Sequence, residues 1–332
     1  MEDKSKPLVS IGMPVYNGEK RLARALDSLL AQDYLNLEII ISDNHSTDST
    51  SEICKQYAQK DSRIKCYRSE TNYGGVWNFN RVFELSSGKY FMWAAHDDQK
   101  EPSYVSSCVE KLEQCPQAVL CQTHTAIFIE GRQELLCVVN LDGLESIAGL
   151  VRRYQETLKR APAIAIYGLY RSSTMRKTQI FQNAIATDIA FLQELSIYGD
   201  FVQVPKILFN YYGREKWNTI HQDYQSALGQ KVKPWWHLPF VLLFCNHCKR
   251  VACASIPFLI KLRLWGVLIQ HEIGQFFLKS LIKISGCLCP AKWKEKLGST
   301  IYWKWMHSCN IKVECEDLFL ERVMKPKLGW WR

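Results

Sequence analysis

GKYFMWAAHDDQ, residues 88–99, decides how the rest of the chain is read. A turn glycine, Gly88, precedes an apolar aromatic run from Tyr90 to Ala95, short and bulky enough for a buried strand. The run ends abruptly in His96, Asp97 and Asp98. Adjacent carboxylates at the end of a buried strand repel each other and resist desolvation, so a cation is expected beside them. Mg²⁺ or Mn²⁺ carrying a phosphate-bearing substrate meets that need, because Mg²⁺ takes one or two carboxylates and fills its other positions with water and phosphate oxygens. The residues alone leave a second reading open, in which Asp97 and Asp98 only lead into the helix after Pro102.

Upstream of this stretch, short apolar runs alternate with helical patterns. Leu8 to Met13, Leu37 to Ser42, Ile64 to Tyr67 and Tyr90 to Ala94 read as strands. Glu19 to Gln32, Ser49 to Gln59, Val76 to Leu85 and Pro102 to Cys115 read as helices. The alternation predicts an α/β fold, a parallel sheet covered by helices on both faces, with ligands beyond the carboxyl ends of the strands. Polar residues gather at those ends: Pro14, Tyr16, Asn17 and Glu19 after the first strand, Asp43 and Asn44 after the second, Asp97 and Asp98 after the fourth. Each cluster alone also reads as a turn or a helix cap. Together they line one edge, where a nucleotide's base, ribose and diphosphate can be read in turn. No Gly-x-Gly-x-x-Gly or Walker-type loop follows the first strand, so a metal is expected to hold the diphosphate.

Downstream, Val119 to Thr123, Ala126 to Ile129 and Leu135 to Val139 read as strands, the latter two about a turn at Gly131. Ser146 to Lys159 reads as a helix whose Arg152, Arg153 and Lys159 form either a solvated face or a contact for a phosphorylated carrier lipid. Asp188 opens an apolar helix after Ala186 and Thr187, and periodicity alone makes it a first-turn acid. Asp200, after Gly199, reads as a turn residue.

The 332 residues, 47% hydrophobic and 23% charged, are a composition that buries a core. The N-terminal MEDKSKPLVS has no apolar run behind its charges, so a cytoplasmic protein is expected. Thirteen irregularly spaced cysteines point to reduced thiols. Residues 231–332 hold 17 Lys and Arg against 6 Asp and Glu, a net +11, and eight of the eleven tryptophans; residues 1–230 carry −2. This basic, Trp-rich extension fits an anionic membrane surface better than nucleic acid. Its longest apolar run, Leu238 to Cys245, falls far short of the ~20 residues of a spanning helix. Trp265, Ile269, Ile273, Phe276, Leu281 and Ile284 recur at helical spacing, interrupted by Lys279 and Lys283, so the expectation is peripheral attachment to the inner face of a membrane, with core packing or dimerisation as the alternative. Cys245, His247, Cys248 and Cys253 lack a second ligand pair at finger spacing, and zinc is not expected there.

VSIGMPVYNGEKRLARALDSLLAQDYLNLEIIISDNHSTDST (9–50) and ETNYGGVWNFNRVFELSSGKYFMWAAHDD (70–98) together resemble the nucleotide-sugar half of the family 2 glycosyltransferases of GT-A fold. The likeness runs from about Leu8 to Leu120 and resumes over Ala186 to Tyr212, which is similar to the acceptor-side segment of bacterial members. It implies a GT-A domain over 1–230, divided near 120 into nucleotide-sugar and acceptor halves, with 231–332 as a helical extension. It implies that Pro14, Tyr16 and Asn17 line the base pocket, with Glu19 near the nucleoside, Asp43 and Asn44 on base and ribose, and Asn80 close by. His96, Asp97 and Asp98 take the place of the family's Asp-x-Asp, with Asp98 as ligand of Mg²⁺ or Mn²⁺ and His96 where a carboxylate is usual. Asp188 matches the base that deprotonates the acceptor hydroxyl in inverting transfer.

The expected activity is transfer of a sugar from a nucleotide-diphospho-sugar, UDP-linked in many members, to a glycan or lipid-linked acceptor in surface polysaccharide synthesis. A nucleotidyltransferase of similar fold and a noncatalytic membrane-associated scaffold are the alternatives; the lack of a Gly-rich basic loop after the first strand counts against the former.

Overall fold

The computed structural model describes residues 6–129, 135–184, 186–213, 239–288 and 312–313. The turn placed at Gly131 and most of the Trp-rich tail lie outside the described residues.

All four strands expected from the alternation form: β1 (Val9–Val15), β2 (Leu37–Asp43), β3 (Ile64–Arg68) and β4 (Tyr90–Trp93). They are parallel in the order β4-β1-β2-β3, which brings the residues after β1, β2 and β4 to one edge. Helices α1 (Leu22–Leu30), α2 (Thr50–Lys60), α3 (Gly75–Glu84) and α4 (Tyr104–Gln114) follow the strands in turn. β4 explains the double covering, because side chains alternate across a strand and all four of its residues are apolar. Tyr90 and Met92 join Leu26 of α1 and Val105 of α4 on one face. Phe91 and Trp93 join Val82 and Phe83 of α3 on the other. A Cβ at Gly12 of β1 would lie 2.7 Å from both Phe91 and Val82, so glycine there lets the helix close on the sheet.

The opposite edge of the sheet is tied by Glu38. Its carboxylate accepts hydrogen bonds from the Ser10 hydroxyl (2.6 Å) and from the Ser87 amide and hydroxyl (both 2.8 Å), and pairs with Lys65 (2.8 Å). Burial alone pushes this carboxyl up; Lys65, Ser10 and Ser87 outweigh it and hold the pKa down at about 2.

Past β4 the sheet becomes mixed where the alternation predicts a parallel one. The two strands expected over 119–129 are a single strand, β6 (Ala118–Ile129). Strand β9 (Asp200–Gly213), not foreseen, runs parallel along it, and the register skips from Val204 to Ile207 at Pro205, which has no N–H to donate. β7 (Leu135–Val139) lies antiparallel to β6, and β8 (Leu169–Arg171) fits antiparallel between β4 and β6. Two-residue strands β5 (Gln99–Lys100) and β10 (Lys312–Val313) pair with β9 and β7.

The remaining helices are α5 (Leu150–Arg160), α6 (Ser172–Met175), α7 (Thr187–Leu195), α8 (Pro239–Cys253) and α9 (Phe258–Leu288), with a 3-10 turn over Ala163–Tyr167. The first helices of the C-terminal region pack on α5 and the segment after α7: Tyr154 of α5, Ile197 after α7, Val251 of α8, and Leu264 and Leu268 of α9 share one apolar cluster. Arg250 of α8 forms an ion pair with Glu194 of α7 at 2.5 Å, the two side chains only 2% and 1% exposed. Trp265 follows the core-packing alternative: it turns inward and donates its indole N–H to the Cys248 carbonyl (3.2 Å). The side chains of Phe276, Leu281 and Ile284, and of Lys279 and Lys283, lie outside the described residues. No described helix is long and apolar enough to cross a membrane.

Candidate active site

Three loops meet beyond β1, β2 and β4. Asn17, held at φ 51°, donates its amide to the Ser46 hydroxyl (2.9 Å) and accepts the Thr47 amide on Oδ1 (2.8 Å). Glu19 accepts the Ser49 amide at the start of α2 (3.0 Å), while its own amide donates to Asp48 (3.1 Å). These two expected pocket residues therefore brace the β1 and β2 loops against each other. Tyr16, 45% exposed, stays free of that lacing, and Pro14 is buried within β1.

Asp43 ends β2 with Oδ1 accepting the Ser46 amide (2.8 Å) and Oδ2 paired with Arg68 (3.0 Å). Asn44 is enclosed by the loop before α3: its side chain donates to Asn72 (2.8 Å) and the Gly74 carbonyl (3.1 Å) and accepts the Tyr73 amide (3.0 Å). Of the two asparagines in GGVWNFNR, Asn78 reaches the strand ends, donating to the Ser42 carbonyl at 2.9 Å. Its buried Oδ1 has no partner among the described residues. Asn80, the residue expected there, spends both ends of its amide on the Phe181 backbone (2.8 and 3.2 Å). Helical rotation separates the two positions by about 200°, which a reading of the motif as a block does not register.

At the end of β4 the His96 ring lies against Gly18, where a Cβ would come within 2.8 Å of it, so the β1 and β4 loops touch. Asp97 pairs with Arg21 (3.4 Å), and its carbonyl accepts from Arg24, whose guanidinium sits 4.0 Å over the Tyr212 ring. Asp98 is buried; Oδ1 accepts the Tyr212 amide (2.9 Å) and Oδ2 has no partner among the described residues. Burial, then the adjacent Asp97 charge, pushes its pKa up to about 8. Below it, Lys100 lies 3.7 Å over the Phe209 ring and 4.0 Å over Tyr104, and burial brings its pKa down to about 7. An orphaned, charge-averse carboxylate oxygen beside a second carboxylate suits a hard divalent cation. Among the described residues no group of three or more acidic, His or Cys side chains gathers, so protein ligands alone do not complete a cage.

Asp188 lies in the first turn of α7, half-buried, accepting the Ile189 amide on Oδ1 (2.8 Å), with no ion pair among the described residues. Burial raises its carboxyl above the ordinary aspartate value, against the pull of the two backbone amides. Asp200 instead starts β9 and pairs with Arg153 at 2.6 Å. Trp93 connects the two acidic places. Its ring stacks on Phe181 (4.9 Å), which precedes α7, and meets Phe191 of α7 edge-on (5.4 Å), while Asp97 and Asp98 lie in the loop that follows β4. Arg21, Arg24 and Arg68 were not foreseen, because each stands at least 25 residues in sequence from the aspartate it meets.

A family model described as glycosyl transferase family 2 matches residues 10–183, more than half of the chain. This chain belongs to glycosyl transferase family 2. The family 2 chain is 32% identical over 242 residues to an uncharacterized glycosyltransferase of Haemophilus influenzae, covering 68% of this chain and 72% of that one. It is 38% identical over 118 residues to an uncharacterized glycosyltransferase of Rickettsia prowazekii, covering 35% of this chain and 36% of that protein's length. Among solved structures, that of Staphylococcus aureus TarS 1–349 with UDP superposes with a TM-score of 0.57 at 19% identity, over 80% of this chain and 71% of that one. A Pyrobaculum calidifontis mannosyltransferase with GDP-Man and Mn²⁺ superposes at 0.50 and 12% identity, over 98% and 88%. These likenesses identify the GT-A fold, as the sequence resemblance implied, while the chain spans less than half the length of the first curated relatives it matches.

Proposed function

We propose that this glycosyltransferase moves a sugar from a UDP-linked donor to a hydroxyl of a glycan or lipid-linked acceptor, inverting the anomeric centre, in surface polysaccharide synthesis. The observation that supports the reading is that the carboxylates after β4 and that of Asp188 all act on one side chain, Tyr167, whose hydroxyl is kept protonated by burial and, in addition, by Asp98, Asp97 and Asp188. The UDP-bound TarS structure of the same fold supports the choice of nucleotide. The reading keeps 1–230 as the catalytic unit and 231–332 as an extension that attaches to the inner face of a membrane.

In this reading Tyr16, Asp43 and Asn44 face the base and ribose, with Pro14, Asn17 and Glu19 fixing the loops around them. Asp98, flanked by Asp97 and His96, holds Mg²⁺ or Mn²⁺, which when bound neutralises the diphosphate. Asp188 accepts the proton of the acceptor hydroxyl as its oxygen bonds to the anomeric carbon, and the old glycosidic electron pair leaves with the nucleoside diphosphate. Asp188's raised pKa makes its carboxylate a stronger base than an ordinary aspartate. Asn80 acts from behind, holding the Phe181 segment in place.

Calorimetric titration with UDP, GDP and dTDP, each with and without Mn²⁺, tests the site. UDP is expected to bind in a Mn²⁺-dependent manner, and Asp98→Ala to weaken it by about tenfold or more, the scale of one lost charge-assisted contact. Failure of all three nucleotides to bind would refute the assignment.

A further inference from the structure

Helix α9 is apolar on two sides, and the acceptor half covers only one. Leu264 and Leu268 are buried in the cluster shared with α5 and α8, and Trp265 turns toward α8. On another side, Phe258, Leu259, Leu262, Ile269 and Ile273 recur at helical spacing and are 65, 72, 46, 49 and 51% exposed. Five of the ten large apolar side chains most exposed among the described residues thus lie on this one helix. Scattered single exposures need no explanation, whereas a continuous stripe does.

Charge chooses the occupant. Exposed Arg263 and half-buried Lys261 fall on opposite flanks of the stripe, and exposed Lys249 lies on α8 nearby in sequence. A cavity of about 440 Å³ between α5 and α9, lined by Gln155, Lys159, Gln270 and His271 among others, borders the stripe, since Gln270 and Gly274 directly follow Ile269 and Ile273. An apolar stripe edged by long cationic side chains is how a helix lies in the plane of an anionic lipid interface, its apolar groups among the acyl chains and its cations at the phosphates. A second copy of the chain would set the same cations against each other across a twofold contact.

We propose that the Phe258, Leu259, Leu262, Ile269 and Ile273 face of α9 is the surface by which this chain lies on an anionic bilayer. The inference rests on the membrane attachment proposed above and names the residues that make it. The test is cosedimentation of the full chain with phosphatidylcholine vesicles and with vesicles in which about a third of the lipid is phosphatidylglycerol. The chain is expected to sediment with the anionic vesicles only, less so at high salt. Leu259→Glu combined with Ile269→Glu is expected to cut the bound fraction at least about tenfold. Both positions are exposed, so this variant keeps the wild-type melting temperature. Arg263→Glu is expected to give a smaller loss that salt removes. Equal sedimentation of the double variant and the wild type, or none by either, overturns the proposal. So does light scattering in which the wild type is a dimer and the double variant a monomer. UDP affinity measured on the wild type separates the two readings: sedimentation without UDP binding refutes the catalytic assignment, and UDP binding without sedimentation refutes the membrane face.

Discussion

Asp188→Asn is expected to lower sugar transfer by about 10²–10⁴-fold, the usual contribution of a general base. UDP affinity in the presence of Mn²⁺ should not change, because Asp188, on α7, is assigned to the acceptor hydroxyl and not to the nucleotide or the metal. The amide keeps the volume of the carboxylate and still accepts the Ile189 hydrogen bond, so the fold is preserved. It cannot take up the hydroxyl proton. In the wild type only the ionised carboxylate is active, and burial raises its pKa, so kcat should fall as the pH drops through a value above the ordinary aspartate range. That acidic limb should be missing from the residual activity of the variant. Asp200→Asn is the control: it removes an ion pair to Arg153 and should alter stability without reshaping the pH profile. Undiminished transfer by Asp188→Asn would overturn the assignment.

Arg250→Ala is expected to destabilise the fold by about 3–5 kcal/mol, since it strands a buried carboxylate. At the size of this chain that lowers the thermal midpoint by roughly 4–7 °C. Arg250 also donates to the Ile180 carbonyl (2.7 Å), and Glu194 accepts the Gln179 amide (3.1 Å), so the pair holds the segment leading to α7 as well as α7 itself. That segment is under backbone constraint, with Ile180 and Ala186 at φ 47° and 50°. Glu194→Leu with Arg250→Met replaces the pair by apolar volume and should recover most of the midpoint. It restores no donor to Ile180, so kcat should stay low. Recovery of both quantities together would mean that the pair has no part in positioning Asp188.

The parallel half of the sheet was legible because its strands carry their own signal: an apolar run, a polar exit, then a helical period. Tyr90 to Ala94 could be read in isolation for that reason. β9 could not, because it has no alternating pattern and contains Pro205, and it exists through its pairing with β6. The gap expected between Thr123 and Ala126 is a place where β6 changes register, which is visible only with its partner present. At the site, the acidic residues announced themselves by their positions at strand ends. The direction in which Asn17, Glu19 and Asn44 point is set by loops distant in sequence, and so is the choice of Asn78 over Asn80. Trp265 packs inward while Ile269 and Ile273 of the same periodic set stay exposed, because a helix with two apolar sides gives no single direction to its period.

The two ends of the sheet respond to acid in opposite order. Glu38 holds β1, β2 and β3 to the Ser87 turn with a carboxyl whose pKa is depressed to about 2 from an ordinary 4.5, so its stabilising effect is present above 4.5 and is lost only as the pH falls toward 2. Asp188, proposed as the base, takes up its proton above the ordinary aspartate value. A mildly acidified sample therefore passes through a window in which the molecule is silent and still folded, and its activity should return in full on neutralisation.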